Sequence, residues 1–263
     1  MQNLIKQYID GINIGSAQSY KNLTVFPLVS DYTLDLDYLT LDEALDEDAI
    51  DVVELDREGS VPELKVVNKS EQVNFSLEMS GNFTSDQGTI WNDISAKALR
   101  MDAESPSSAM SAIYKKKEHS IKDYTGHFSL TGSQIGAVFV INGQFVGMDC
   151  FGKPETFGKV FEKLVESYAL DAIDTTESEK DPKVEKDQAA KFLQFPAACK
   201  VEPHPSVGLG TDCRLESKSI TGFALAHDDK ILHLSAFSRK GMGSKEKSFT
   251  GMIRSSHRRR FRG

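Results

Sequence analysis

The chain is poor in the features that mark secreted, membrane-spanning and metal-stabilised proteins. Its 263 residues include only three cysteines, Cys150, Cys199 and Cys213, and no two of them form a C-x-x-C pair. An odd, scattered set of cysteines argues against a disulfide framework and against a cysteine-rich zinc site. No run of about 18 apolar residues is present, and the N-terminal segment lacks the basic and apolar regions of a signal peptide. We therefore expect a cytoplasmic protein without a membrane partner.

The familiar catalytic and nucleotide-binding motifs are also missing. The sequence contains no G-x-x-x-x-G-K-[S/T], G-x-S-x-G, H-E-x-x-H or EF-hand loop. Single cysteines are more often small buried hydrophobes than nucleophiles, so none of the three is predicted to be catalytic. The stretch from Cys199 to His204 supplies two types of metal ligand, but a zinc site needs two more, and we predict no metal centre. The reaction, if there is one, and any cofactor stay open.

Charge is unevenly distributed along the chain. Residues 238–263 carry nine Lys or Arg and one Glu, a net charge of +8, whereas residues 1–237 carry 22 basic and 38 acidic residues, a net charge of -16. A body this acidic repels phosphate backbones, so we do not expect nucleic acid to bind the main domain. The sequence predicts a compact domain over residues 1–237 and a basic, flexible tail over residues 238–263. That tail is a candidate to dock an acidic partner, an external polyanion or the acidic body itself.

Hydrophobic periodicity predicts an α+β fold, with a mainly antiparallel sheet and several packed helices in a single domain. Asn142-Gly143 between two apolar runs predicts a β-hairpin, and the apolar stripe that follows Pro154 predicts a long helix. Alternation over residues 72–79 predicts a half-buried strand. The other predicted helices are an N-terminal helix, a short helix opened by a capping box at Thr40 and Glu43, and helices around Ile94 and Ile113, the second of which ends at the lysines 115–117. The other predicted strands are an edge strand at 19–29 that contains Pro27 and strands at 50–55, 63–68, 211–217, 220–226 and 231–237. Residues 174–188 are predicted to form an exposed polar linker.

Polar side chains beside apolar ones mark a first group of candidate site residues. Asp149 ends an otherwise apolar strand just before the long helix, where a carboxylate on a rigid element suits a general base or a metal ligand. The competing interpretation is a loop carboxylate that faces the positive N-terminus of that helix. Gln87 and Trp91 lie one turn apart near a helix start, where an indole can stack on a ring and an amide can bind its edge. A single Trp is otherwise a core residue.

Two strand residues complete the candidate set. Arg214 offers a guanidinium for a phosphate or carboxylate group, or else forms a surface cross-strand pair near Glu216. His233 shares a strand face with Ser235 and is either a catalytic imidazole or a structural histidine. We predict that Asp149, Arg214 and His233 converge in one cleft with Trp91 on its wall, because binding sites gather a few polar groups in an apolar pocket.

Four blocks of the sequence carry a family resemblance. They are SDQGTIWNDIS, AVFVINGQFVGMDCFGKPETFGKVFEKLVESYALDAID, GLGTDCRLESKSITGFAL and ILHLSAF. In these blocks the chain resembles the ADP-ribosylglycohydrolase- and rhodanese-phosphatase-associated domain family of the first type. Through the enzymes with which that family is associated, the resemblance implies an enzyme or enzyme-accessory domain in ADP-ribose-linked or nucleotide-linked metabolism. The family pattern fits this chain at Gln87, Trp91, Asp149, Arg214 and His233. The resemblance therefore implies that these five residues bind a nucleotide or an ADP-ribose-like small molecule.

The chain departs from the family pattern in one place. Between VVNKSEQ and QGTIW the pattern has a longer segment, and this chain has only VNFSLEMSGNFTSD there. If the longer segment forms the site, this chain has lost much of it. The departure favours the alternative function, a non-catalytic ligand-binding or protein-binding module with a basic docking tail.

Overall fold

The computed structural model describes residues 1–54, 64–69, 73–74, 87–103, 110–175, 184–206 and 210–239. Its helices are α1 (Gln2–Asp10), α2 (Leu41–Asp46), α3 (Gln87–Arg100), α4 (Met110–Thr125), α5 (Pro154–Asp174) and α6 (Lys186–Gln194). Its strands are β1 (Asn13–Ile14), β2 (Gln18–Tyr20), β3 (Leu23–Val29), β4 (Tyr38–Leu39), β5 (Ile50–Glu54), β6 (Leu64–Asn68), β7 (Val73–Asn74), β8 (Gln134–Ile141), β9 (Gln144–Phe151), β10 (Lys200–Pro205), β11 (Thr211–Glu216), β12 (Ile220–His227) and β13 (Lys230–Ser238). None of these described helices is long and apolar enough to cross a membrane.

One large antiparallel sheet organises the described part of the chain, which confirms the predicted α+β class. Nine of the described strands belong to it, in the order β1-β3-β8-β9-β13-β12-β11-β10, with β2 also paired to β3. One edge of the sheet is therefore β10, and the short strands β1 and β2 lie along the other. Apart from this sheet, β4 pairs with β7 in parallel and β5 pairs with β6 antiparallel.

Helices pack on both faces of the large sheet. Because successive side chains of a strand point to opposite faces, Val138 and Phe139 of β8 belong to different cores. Val138 packs with Ile9 of α1 and Phe192 of α6. Phe139 packs with Val165 of α5. A smaller apolar cluster joins α3, α4 and α5 on the α5 side of the sheet.

Elements with strong local signals form where the sequence predicts them. Asn142 and Gly143 join β8 to β9 with φ angles of 50° and 69°, the left-handed conformation that an Asn-Gly hairpin turn uses, so the hairpin is confirmed. The helix that follows begins at Pro154 and buries its apolar stripe against the sheet. The capping box is present as well, because Thr40 accepts from the Glu43 N–H and Glu43 accepts from the Thr40 N–H. The predicted N-terminal helix and the three predicted strands between residues 211 and 237 are also confirmed.

The prediction that Pro27 lies in an edge strand is wrong. β3 pairs with β8 on one side, where Pro27 lies opposite Ala137, and with β1 and β2 on the other. The Pro27 carbonyl accepts a 2.7 Å hydrogen bond from the Gly15 N–H. Since the N–H and C=O of a strand residue point to the same side, the missing donor of proline faces the gap between β1 and β2. An interior strand tolerates proline there because no ladder bond is lost.

Two predicted boundaries need correction. α4 continues to Thr125, so the lysines 115–117 lie in its middle, and Ile121 and Tyr124 extend its buried face beyond them. α6 begins at Lys186, inside the predicted polar linker. The predicted strand at 72–79 is described only at β7, and its remaining residues lie outside the described ranges, as does the tail beyond Arg239.

Candidate functional site

A row of side chains crosses the sheet on the face that α5 covers. Asp149 of β9 pairs with Ser235 of β13, Ser235 pairs with Phe223 of β12, and Phe223 pairs with Arg214 of β11. Residues that lie directly opposite each other in an antiparallel sheet project to the same face. We call these four residues, Asp149, Ser235, Phe223 and Arg214, the polar row.

Asp149 and His233 are in contact at the buried end of the polar row. His233 Nε2 lies 3.4 Å from Asp149 Oδ1, and the two residues are 8% and 3% exposed. The imidazole stacks on the Phe151 ring with centroids 4.3 Å apart, and it meets the Phe223 ring edge-on at 5.0 Å. Two aromatic rings therefore fix the orientation in which His233 faces the carboxylate.

Tyr168 of α5 reaches the same carboxylate from above the sheet. Its hydroxyl donates to Asp149 Oδ2 over 3.4 Å, and its ring stacks on Phe139 with centroids 3.7 Å apart. The hydroxyl lies over Gly147, where an added Cβ would be only 2.5 Å from it. Sequence analysis missed Tyr168 because it belongs to the apolar stripe of α5. A glycine two residues before the aspartate, on the same strand face, was the available signal.

Arg214 lies at the other end of the polar row. Neighbouring strands are about 4.8 Å apart, so three strand spacings separate Arg214 from Asp149 by about 14 Å between Cα atoms. The two residues share a face, but they do not touch. The half-buried guanidinium of Arg214 donates to Asp212, and Glu216 accepts from Arg239 at 3.3 Å.

Gln87 and Trp91 lie on α3, at its first residue and one turn later. The described contacts of this helix are with α4 and α5, and none of them joins α3 to the polar row. Sequence analysis missed the feature that attaches α3 to α5: the Lys97 ammonium is fully buried, 2.6 Å from Asp171 Oδ1. A lysine on an amphipathic helix indicates an exposed face, so the sequence gives no sign of this pair.

The cysteines and the metal-ligand types give no second centre in the described chain. Cys150, Cys199 and Cys213 are free and buried, and burial raises the pKa of the Cys150 thiol well above its ordinary value. Such a thiol is a poor nucleophile. Among the residues that the structure describes, no three His, Cys, Asp or Glu side chains form a group that could hold a metal ion.

A cavity of about 370 Å³ lies elsewhere, between the C-terminal end of α4 and α5. Its lining includes Phe128, Leu130 and Phe161, with Lys122 and Glu162 among its polar residues. None of the five predicted site residues lines it. The polar row and this cavity are therefore separate features.

Fold and site together define an α+β protein in which an antiparallel sheet between helical layers carries a buried polar cluster on one face. The chain belongs to the ARG and Rhodanese-Phosphatase-superfamily-associated Protein domain family, whose sequence profile matches residues 11–75 and 69–237. The two matched segments overlap at residues 69–75. Neither the curated proteins nor the solved structures include a significant match.

Proposed function

We propose that the chain is an enzyme-accessory domain in ADP-ribose-linked or nucleotide-linked metabolism, and that it binds a phosphorylated nucleotide along the polar row. The association of its family with ADP-ribosylglycohydrolase and rhodanese-phosphatase enzymes supports the metabolic setting. The observation that carries the proposal is a change of chemistry across one sheet face. Over β3 and β8 that face is apolar and covered by α5, and over β9, β13 and β11 it continues with a carboxylate, an imidazole, a hydroxyl and a guanidinium.

The polar row offers the contacts that a nucleotide needs. Arg214 presents a guanidinium whose paired N–H groups match the geometry of a phosphate, and Asp212 holds it in place. Phe223 is half-buried and supplies an aromatic surface beside Arg214 for a ring to stack on.

Thermal stabilisation of the full chain by ADP-ribose, ADP and adenosine tests this proposal. ADP-ribose and ADP are expected to raise the melting temperature, and adenosine, which lacks phosphate, to raise it less. Arg214→Ala should abolish the ligand-induced rise and leave the folded state intact, because the phosphate loses its partner. Arg100→Ala is the matched control: it removes an arginine that pairs with Asp174 outside the row, and the ligand-induced rise should persist. No rise with any phosphate compound would refute the proposal.

A catalytic role is the second candidate, and the Asp149–His233 contact favours it. A carboxylate and an imidazole that touch in a buried site form a pair able to accept and return a proton. Mass spectrometry of ADP-ribose incubated with the wild type and with His233→Gln separates the two candidates. Product formation that disappears in His233→Gln supports an enzyme, and stabilisation without product supports a binding module.

A further inference from the structure

The carboxylate of Asp149 and the hydroxyl of Ser235 are buried with too few hydrogen bonds. They form a direct cross-strand pair and are 3% and 1% exposed. The Asp149 carboxylate contacts the Tyr168 hydroxyl and the His233 ring nitrogen, each at 3.4 Å, which is long for a hydrogen bond. Within the described part of the chain, Ser235 Oγ has no hydrogen-bond partner at all.

Such a pair is unusual in a folded protein because a buried polar group without a partner keeps its full desolvation penalty. An ionised carboxylate has acceptor capacity for about four hydrogen bonds. The hydroxyl opposite it can either donate or accept. A group that completes the pair brings hydrogen-bond donors to Asp149 and reaches two side chains on neighbouring strands.

We infer that this end of the polar row takes the vicinal hydroxyls of a pentose, and that Asp149 with Ser235 selects ligands that carry them. This inference rests on the proposed nucleotide-binding function. A phosphate is a poor occupant of this end, because its charge repels the carboxylate and it offers no donors. Two adjacent hydroxyls suit the two carboxylate oxygens, as donors to an acceptor-only group.

The row also orients the ligand. Burial decreases along it, since Asp149 and Ser235 are buried whereas Phe223 and Arg214 are half-buried. The pentose therefore lies at the buried end, and the phosphates extend towards the guanidinium of Arg214. The long arginine side chain spans part of the distance of about 14 Å between the two ends.

The test compares ADP with 2',3'-dideoxy-ADP, which differs only in the two hydroxyls, by calorimetric titration of the full chain. The wild type is expected to bind ADP at least about tenfold more tightly than the dideoxy compound, because the dideoxy compound lacks the hydroxyls that donate hydrogen bonds to the Asp149 carboxylate. Asp149→Asn and Asp149→Ala should reduce this preference towards one. Asp42→Asn changes an exposed aspartate on α2 and should keep the full preference.

Ser235→Ala keeps the inference testable if the Asp149 variants fail to fold. Since its hydroxyl has no partner in the described chain, Ser235→Ala should leave the stability of the ligand-free protein equal or higher, and it should lower the preference for ADP. Equal binding of ADP and dideoxy-ADP by the wild type overturns the inference and leaves the proposed function standing. A ligand-free Ser235→Ala that is less stable, with its preference unchanged, also overturns it, because an ordered water alone would then complete the pair. Absence of binding by either compound overturns the inference together with the proposed function.

Discussion

At the scale of single residues, two ion pairs attach α3 to α5. Lys97 and Asp171 form a fully buried pair between α3 and α5. One turn later on both helices, Arg100 donates two hydrogen bonds to Asp174. Both charges of a buried pair lose their hydration, so the pair adds little net stability. Removing one partner, however, leaves the other charge buried without compensation, which is strongly destabilising. The attachment of α3 is therefore specific to its partner and sensitive to single substitutions.

Asp171→Leu is expected to destabilise the protein by about 3–5 kcal/mol, because it leaves the Lys97 ammonium buried without its carboxylate. The double variant Lys97→Met/Asp171→Leu should recover most of that loss, since no charge remains to be buried. The free energy of unfolding in urea measures both. Lys122→Met, which breaks the exposed pair with Glu118, should leave the free energy of unfolding almost unchanged. A double variant as unstable as the single one would contradict this account.

For single residues, the sequence predicted only features that the residue and its immediate neighbours in the chain display. Asp149 and His233 stand out because each is polar in an apolar strand, and the structure places them in contact. Their other neighbours, Ser235 and Tyr168, depend on strand register and on where α5 crosses the sheet, which no local pattern encodes. Whether these residues bind a ligand stays a prediction.

At the scale of elements, α2 shows how one side chain can serve a helix start and a tertiary contact. Glu43 accepts from the Thr40 N–H at 2.9 Å, and its other oxygen contacts the Lys159 ammonium of α5. The hydrogen bond from Lys159, followed by that from the Thr40 backbone, lowers the pKa of Glu43 to about 2. Because the pKa falls on folding, the stabilisation is complete above the ordinary value of 4.5 and is lost as pH falls towards 2.

Glu43→Gln is therefore expected to destabilise the protein by about 1 kcal/mol at neutral pH and by progressively less as the pH is lowered to about 3. Urea unfolding of wild type and variant at both pH values measures the difference. A Glu43→Gln difference that is constant with pH would rule out the ionised pair as its source.

Elements were predictable where their signals are contiguous in sequence. The Asn142-Gly143 turn and the stripe after Pro154 lie within single segments, and both elements form as predicted. Pro27 is the opposite case, because its place inside the sheet depends on Gly15 and on Ala137, a residue more than a hundred positions away. Long-range pairing of this kind is set by the whole fold.

At the scale of the whole molecule, charge separates the acidic body from the basic tail. We expect the tail to associate with the body at low salt, so that a full chain and a version ending at Arg239 bind a labelled generic oligonucleotide equally weakly there. Arg239 is kept because its N–H donates to Ser219 and its guanidinium pairs with Glu216. Fluorescence anisotropy at several salt concentrations measures the affinity. Tighter binding by the full chain, weakening steeply with salt, would instead make the tail a polyanion-binding segment.

The edges of the large sheet limit how copies of this protein can associate. β10 carries Pro203 and Pro205, and strands accept proline where the absent N–H would face solvent. Because Pro203 and Pro205 have no backbone N–H, the outer side of β10 lacks two hydrogen-bond donors. The opposite edge of the sheet consists of β1 and β2, which are only two and three residues long. Among the described strands, an incoming strand therefore finds no continuous ladder on either edge, which opposes polymerisation of these sheets into fibrils.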